Sequence, residues 1–264
     1  MASIPRSTRD VVFLPYFGEY GHFILGYIGF VHTHTIFRNK IVCCRKGDEC
    51  YFPSASRFNI IDDKVYDFVP PDAQRGWDAG SFHSYIRDVY HTIKQDFPGY
   101  DFITPVMGYR YVQFELRPKL RGLNFDIILG TRNLRKDRRR RKMNWGRWQE
   151  LADLLIANGL TVGVIGREKS SFAVKGCTHS WDCGNDGDCV VEMMQNCKVY
   201  VGVDSGVSHL ACFLRKPTIL IPLWMSYFVD AMVDVNPDVD RMEGFDPYKG
   251  NVEVVYDKIL QRLS

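Results

Sequence analysis

The chain has 264 residues, 45% of them hydrophobic, 25% charged and 14% aromatic. That composition excludes a disordered or collagen-like polymer and suits one large domain or two small ones. A net charge of +3 excludes a polyelectrolyte that binds through charge alone, although basic residues crowd into RNLRKDRRRRK at 132–142. No run reaches the roughly 18 apolar residues of a membrane span, and MASIPRSTRD lacks the apolar core of a signal peptide. The eight cysteines are irregularly spaced, with Cys43 and Cys44 adjacent. This pattern points to reduced thiols and a cytoplasmic location.

Residues 11–15 (VVFLP) read as a short buried strand, and YFGEYGH after it as a glycine-punctuated turn. FILGYIGFVHTHTIF has helical apolar spacing, and IVCC at 41–44 is a second strand. Residues 45–80 are rich in Gly, Pro and Asp, with a strand expected near 66–69. A helix is predicted over 82–96, and irregular structure leading to a linker over 97–122. FDIILG (125–130) is a strand ending in glycine, and WGRWQELADLLIAN (145–158) an amphipathic helix capped by Gly159. LTVGVIG (160–166) is the next strand, DCVVEMMQNC (188–197) a helix, VYVGVD (199–204) a strand, SHLACFLRK (208–216) a helix and PTILIP (217–222) a strand. VEVVY and DKILQRL read as a final strand and helix. Strands alternating with helices predict doubly wound parallel sheets, in an α/β domain over 1–120 and another over 121–264.

In such sheets ligands bind beyond the carboxyl ends of strands, where helices begin. Three strand ends carry suitable residues: Gly130-Thr131-Arg132, Gly166-Arg167-Glu168 and Asp204-Ser205-Gly206. At the third, Ser205 can cap a helix, Gly206 lets a ligand approach the backbone, and the helix N-terminus offers amides to a diphosphate. His209 in the first helical turn can hydrogen-bond a phosphate or sugar oxygen. Asp204, being acidic, suits the loop itself or a sugar hydroxyl. The same residues also fit a plain helix cap followed by a core histidine.

VGVDSGVSHLACFLRKPTILI resembles the D-[ST]-G-x-x-H-x-A segment of glycosyltransferase family nine, the heptosyltransferases of lipopolysaccharide synthesis. Upstream, ILGTRNLRKDRRRRKMNWGRWQELADLLIANGLTVGVIG is similar to that family's strand, basic loop, Trp-bearing helix and glycine-ended strand. Together these cover roughly residues 125–222. YFGEYGHFIL is similar to the family's S-x-G-D-x-x-H turn after the first strand, which puts Glu19 at the catalytic aspartate and His22 at the histidine that follows. Two departures stand out: Glu replaces Asp, and the chain is short for the family. The resemblance implies a GT-B fold of two Rossmann-like domains with the N-terminal one reduced. It also implies a nucleotide-sugar donor held by the C-terminal domain, inversion at the anomeric carbon and no catalytic metal or other cofactor.

For transfer to an acceptor hydroxyl, Glu19 is the candidate base with His22 as its alternative, although Glu19 also suits a helix N-terminus. Arg132 or Lys142 supplies a cation to the leaving diphosphate, joined by Thr131, Gly166, Ser205 and Gly206. Glu168 suits a ribose hydroxyl. Arg138, Arg139, Arg140 and Arg141 read as a solvated run. Cys177, His179, Cys183 and Cys189 place four soft ligands in one loop, but C-x-H-x3-C-x5-C lacks the paired spacing of structural zinc sites. Asn185-Asp186-Gly187-Asp188 reads as a turn and helix cap. A glycan is the expected acceptor. The alternatives are a modified nucleic-acid base, with Trp145, Trp148 and the arginines on bases and phosphates, and a non-catalytic nucleotide- or glycan-binding module.

Overall fold

The structure is a computed structural model that describes residues 10–17, 20, 23–37, 39–62, 64–65, 83–105, 112–133, 145–221, 232–242, 245–246 and 250–264. It divides into two compact units, Met1–Arg117 and Pro118–Ser264. Among the described residues no helix is long and apolar enough to cross a membrane.

The first unit is built on a parallel sheet of β1 (Val11–Phe13), β2 (Lys40–Cys44), β3 (Arg57–Ile60) and β4 (Asp101–Ile103), in the order β3-β2-β1-β4. A π-helical turn, Phe23–Tyr27, runs into α1 (Ile28–Thr33), and α2 spans His83–Asp96. Val12, Leu14, Ile41, Cys43 and Ile93 form the core between sheet and helix. Lys40 is buried, yet its ammonium donates to the carbonyls of Val31 at 2.9 Å and His32 at 3.2 Å. That places a cation on the carbonyl end of α1, where the helix dipole favours it.

The second unit holds β5 (Phe125–Gly130), α3 (Trp148–Ala157), β6 (Val162–Val164), β7 (Thr178–His179), α4 (Gly187–Gln195), β8 (Cys197–Val203), α5 (Gly206–Phe213), β9 (Thr218–Ile221), β10 (Val239–Arg241) and α6 (Val252–Leu263). Its six strands are parallel in the order β10-β9-β8-β5-β6-β7. From β5 the chain winds outward through β6 and β7, then returns to β8 on the other side of β5. The loops after β5 and β8 therefore leave in opposite directions and open a crevice between them, the usual ligand position of such sheets. One sheet face packs Ile127, Leu129, Val199, Val201 and Val203 against Trp148, Leu151, Ala152 and Leu155 of α3 and Val252, Val255 and Ile259 of α6. The 148, 151, 152, 155 spacing is one helical stripe, and Gly159, at φ +78°, ends the α3 region in the left-handed conformation. The opposite face is covered by α4 and α5.

The alternating elements of the sequence reading are present, with corrections at the edges. β3 and β4 are strands where loops were expected, and β10 is a strand in a stretch the sequence reading left unassigned. Their residues are largely exposed or half-buried, so none shows an apolar run. The expected strand at 66–69 lies outside the described residues. VEVVYDKILQRL forms one helix, not a strand and a helix: burial of Val252, Val255 and Ile259 outweighs the β propensity of its valines. The Asn185–Asp188 turn is a cap as read, with the Asp186 carboxylate accepting from the Cys189 amide at 2.9 Å.

At the entrance to β5, Asp126 accepts from the amide and hydroxyl of Thr161, each at 2.8 Å, and pairs with the Lys198 ammonium at 2.7 Å. Lys198 first, and then Thr161, holds this carboxyl down at about 2, below the ordinary 3.8. A folded-state value below the unfolded one adds stability above the unfolded value that is lost as pH falls towards the folded one. Because Lys198 is 68% exposed, solvent screening reduces the gain, and Asp126→Asn should cost about 1 kcal/mol at neutral pH. In urea titrations the gap to wild type should close as pH falls from 3.8 towards 2. A gap that stays constant with pH would contradict the pairing.

Candidate functional site

The turn after β8 gives the crevice its floor. Ser205 is extended (φ −159°, ψ 165°) and α5 begins at Gly206. The Ser205 carbonyl accepts from the amides of Ser208 at 3.0 Å and His209 at 3.3 Å. The amides of Gly206 and Val207 precede these in the first turn, where a helix has no internal acceptor to offer, so they are open to a ligand. The Ser205 side chain does not cap the helix as the sequence suggested. Its hydroxyl lies 3.2 Å from that of Ser208, which donates to the Val203 carbonyl at 2.5 Å and meets the Tyr200 hydroxyl at 2.9 Å. This inward network competes with the capping bond. Asp204 is half-buried, and His209 is 4% exposed within the first turn.

The turn after β5 supplies the opposite wall. Thr131 is fully buried, and its hydroxyl donates to the Phe172 carbonyl at 2.8 Å. The Phe172 amide returns a bond to the Thr131 carbonyl at 2.8 Å, the Asn133 amide reaches Ser170 at 2.7 Å, and Arg132 bridges Ser171 antiparallel. A strap at 170–172 thus holds the β5 turn in place. The Arg132 guanidinium donates to the Asp204 carbonyl at 3.0 Å, spanning the crevice from β5 to β8.

Beyond β6, the carbonyl of Gly166 accepts from the buried Ser180 hydroxyl at 3.1 Å. Glu168 is exposed on the turn Glu168–Ser170, whose last carbonyl receives Asn133. The structure therefore brings Thr131, Arg132, Gly166, Glu168, Asp204, Ser205, Gly206 and His209 to one edge of one sheet. Thr131 serves the strap and is turned inward. Lys142, the Arg138–Arg141 run, Glu19 and His22 lie outside the described residues.

The described residues on either side of Glu19 and His22 are well held. β1 ends at Phe13, beside the reversal of strand order between β1 and β4. After it, the carbonyls of Leu14 and Pro15 accept from Tyr27 at 2.6 Å and Tyr90 at 3.1 Å. Tyr20 shares a 2.5 Å hydroxyl contact with Tyr51, and Phe23 packs edge-on to Tyr51 at 5.1 Å. Burial pushes the phenols of Tyr20 and Tyr51 well up, so both remain protonated.

One sequence alternative, base stacking by the tryptophans, is corrected. Trp145 and Trp148 are 0% and 1% exposed and meet edge-to-face at 4.6 Å in the core, so neither ring is open to a base. In the cysteine loop, the Val174 amide donates to His179 Nε2 at 3.1 Å, Nδ1 meets Asp182 at 3.2 Å, and the ring stacks on Trp181 at 4.4 Å. The Cys189 thiol points to the Ser180 carbonyl and Met193 sulfur, and burial raises it to about 12. Among the described residues no three His, Cys, Asp or Glu side chains gather as metal ligands.

The sequence reading missed Tyr200, Ser208 and the 170–172 strap. Tyr200 had a signal: a tyrosine inside an apolar strand, two residues before a glycine, opposite another strand ending in glycine. The strap had none, because its bonds are made by backbone.

No family model and no curated protein matches the chain. Solved structures do. The glycosyl transferase family 9 structure from Veillonella parvula DSM 2008 superposes with a TM-score of 0.53 at 10% identity, over 98% of this chain and 98% of that one. E. coli heptosyltransferase WaaC with ADP gives 0.51 at 10% identity, over 96% and 99%. The dodecameric iron-containing heptosyltransferase TibC in complex with ADP-D-beta-D-heptose gives 0.51 at 12% identity, over 99% and 79%. At these identities the likeness is one of fold. The chain is heptosyltransferase-like in its α/β architecture of two parallel sheets, as the family-nine resemblance led us to expect.

Gly130 and Gly202 are register partners, and a Cβ on either would stand 2.1 Å from the Tyr200 hydroxyl. Tyr200 is fully buried and hydrogen-bonded, so its ring has nowhere to retreat. Gly202→Ala should cost about 1–3 kcal/mol in chemical denaturation, the range for overpacking a core. A variant as stable as wild type would show that the phenol does not fill this slot.

Proposed function

We propose that the chain is a glycosyltransferase that moves a sugar from a nucleoside-diphosphate sugar to a hydroxyl on a glycan. The observation that carries this reading is the Arg132 guanidinium 3.0 Å from the Asp204 carbonyl across the strand-order reversal, beside the first amides of α5. A departing diphosphate gains negative charge, and fixed donors stabilise it most where water is excluded. The Gly206 and Val207 amides, the α5 dipole and Arg132 supply those donors, with Lys142 as a further cation. That set does the work of a metal, so the reaction proceeds without one. Asp204 accepts from a sugar hydroxyl and Glu168 from a ribose hydroxyl. His209 adds a bond in the first turn.

Glu19 removes the acceptor proton, with His22 as the alternative base. The acceptor oxygen bonds to the anomeric carbon as the bond to diphosphate breaks, and the electron pair leaves with the phosphate. One displacement inverts that carbon. The fold neighbours solved with ADP and with ADP-D-beta-D-heptose support a nucleotide-sugar donor. All eight cysteines are free, which supports a reducing, cytoplasmic compartment.

Thermal stabilisation by a panel of nucleoside diphosphates and their sugars, with and without EDTA, tests the donor site. A ligand at 100 times its dissociation constant should add about 2.7 kcal/mol, and EDTA should leave the shift unchanged. No shift with any nucleotide would reduce the Asp204-Ser205-Gly206 turn to a helix start. Glu19→Gln should lower transfer by at least about a hundredfold while donor binding stays intact. Equal transfer in that variant would remove Glu19 as the base, and a wild type that binds donor without turnover would favour a binding module.

A further inference from the structure

We infer that Tyr200 is a positioning residue for the donor site: its hydroxyl, buried beneath α5, fixes the turn that aims the Gly206 and Val207 amides at the diphosphate. This rests on the donor-site reading above and extends it to a residue that no ligand would touch.

Tyr200, Gly202 and Gly130 share one sheet face, because Gly130 pairs with Gly202 and side chains two apart on a strand point the same way. Neither glycine has a side chain, so the Tyr200 ring lies along β8 over both, with its hydroxyl at the crevice end of the sheet. There it meets Ser208 on the first turn of α5 at 2.9 Å.

Counting protons fixes the direction of each bond. The single Ser208 proton is committed to the Val203 carbonyl. Tyr200 therefore donates to Ser208, and the Ser205 hydroxyl, which also interacts with the Tyr200 phenol, closes the buried cluster. Burial raises the Tyr200 phenol, so it keeps the proton that this role requires. The chain of bonds ties the last residue of β8, the N-cap and the third residue of α5 to one fixed point. It also turns the Ser205 proton inward, which leaves the backbone amides as the turn's donors to phosphate and the Ser205 lone pairs as acceptors.

The decisive experiment compares wild type with Tyr200→Phe, which keeps the ring in its slot and removes only the hydroxyl. Affinities are measured by calorimetry for ADP, GDP, UDP and CDP and for the matching nucleosides. The nucleoside diphosphate that binds wild type should bind the variant about tenfold more weakly, the worth of one well-placed hydrogen bond. The matching nucleoside should bind both within about twofold, since it lacks the group being aimed. A purely structural role would weaken both alike, and that result overturns the inference, as does an unchanged diphosphate affinity. Ser208→Ala supplies a second arm: the double variant should bind diphosphate no more weakly than Ser208→Ala alone, because both changes break one network. Additive losses would contradict it. If wild type binds none of the four diphosphates, the donor-site reading falls and takes this inference with it. Loss of the effect in Tyr200→Phe alone leaves that reading standing.

Discussion

A pair of glycines facing each other across adjacent parallel strands sets the geometry on which the rest of the second unit depends. Gly130 ends β5 and Gly202 lies next to the end of β8, at the place where the strand order reverses. With side chains there, the Tyr200 ring would have no room, and the polar network under α5 would lose its anchor. With glycines there, a large buried tyrosine fills the gap, and a polar atom is delivered to the mouth of an otherwise apolar sheet. The arrangement satisfies two demands that usually conflict. The sheet stays packed on both faces, as a parallel sheet must. The crevice still has a rigid polar floor.

Rigidity is shared by the other wall. The 170–172 strap pairs with the β5 turn through backbone bonds in both directions, and Thr131 adds its hydroxyl to the same strap. Arg132 therefore leaves from a fixed base and reaches Asp204 across the crevice. In that bond the guanidinium meets a neutral carbonyl, which orients it. Electrostatic stabilisation of a leaving group relies on such preorganised donors, which need no rearrangement as charge develops.

How much of this was legible follows from which forces each residue reports. The α/β alternation could be read because β5, β8 and β9 are buried on both faces and show nearly continuous apolar runs. The turn after β8 could be read because Asp-Ser-Gly sets three turn-favouring residues between an apolar strand and an apolar helix. β3, β4 and β10 could not, since partly solvated edge strands carry no periodic signal. The tryptophans misled for a chemical reason: an indole next to arginines suggests base stacking, yet the same ring is large enough to fill a core, and here both do. Ser205 misled in the opposite way. Its position is that of an N-cap, and its backbone is extended like one, but a nearby hydroxyl outcompetes the amides for its side chain.

That competition bears on what the edge selects. A serine that capped its helix would spend its lone pairs on an amide. Ser205 instead turns its proton into the buried hydroxyl cluster and keeps its lone pairs, standing in the chain between Asp204 and the first amides of α5. The edge therefore presents donors and acceptors side by side. A bare anion satisfies only the donors and meets the Asp204 charge unfavourably. A neutral polyol satisfies only the acceptors and brings no charge to Arg132. On the proposed reading, a molecule with phosphate at one end and hydroxyls at the other, such as a nucleoside-diphosphate sugar, would match both halves of this turn better than either of its parts.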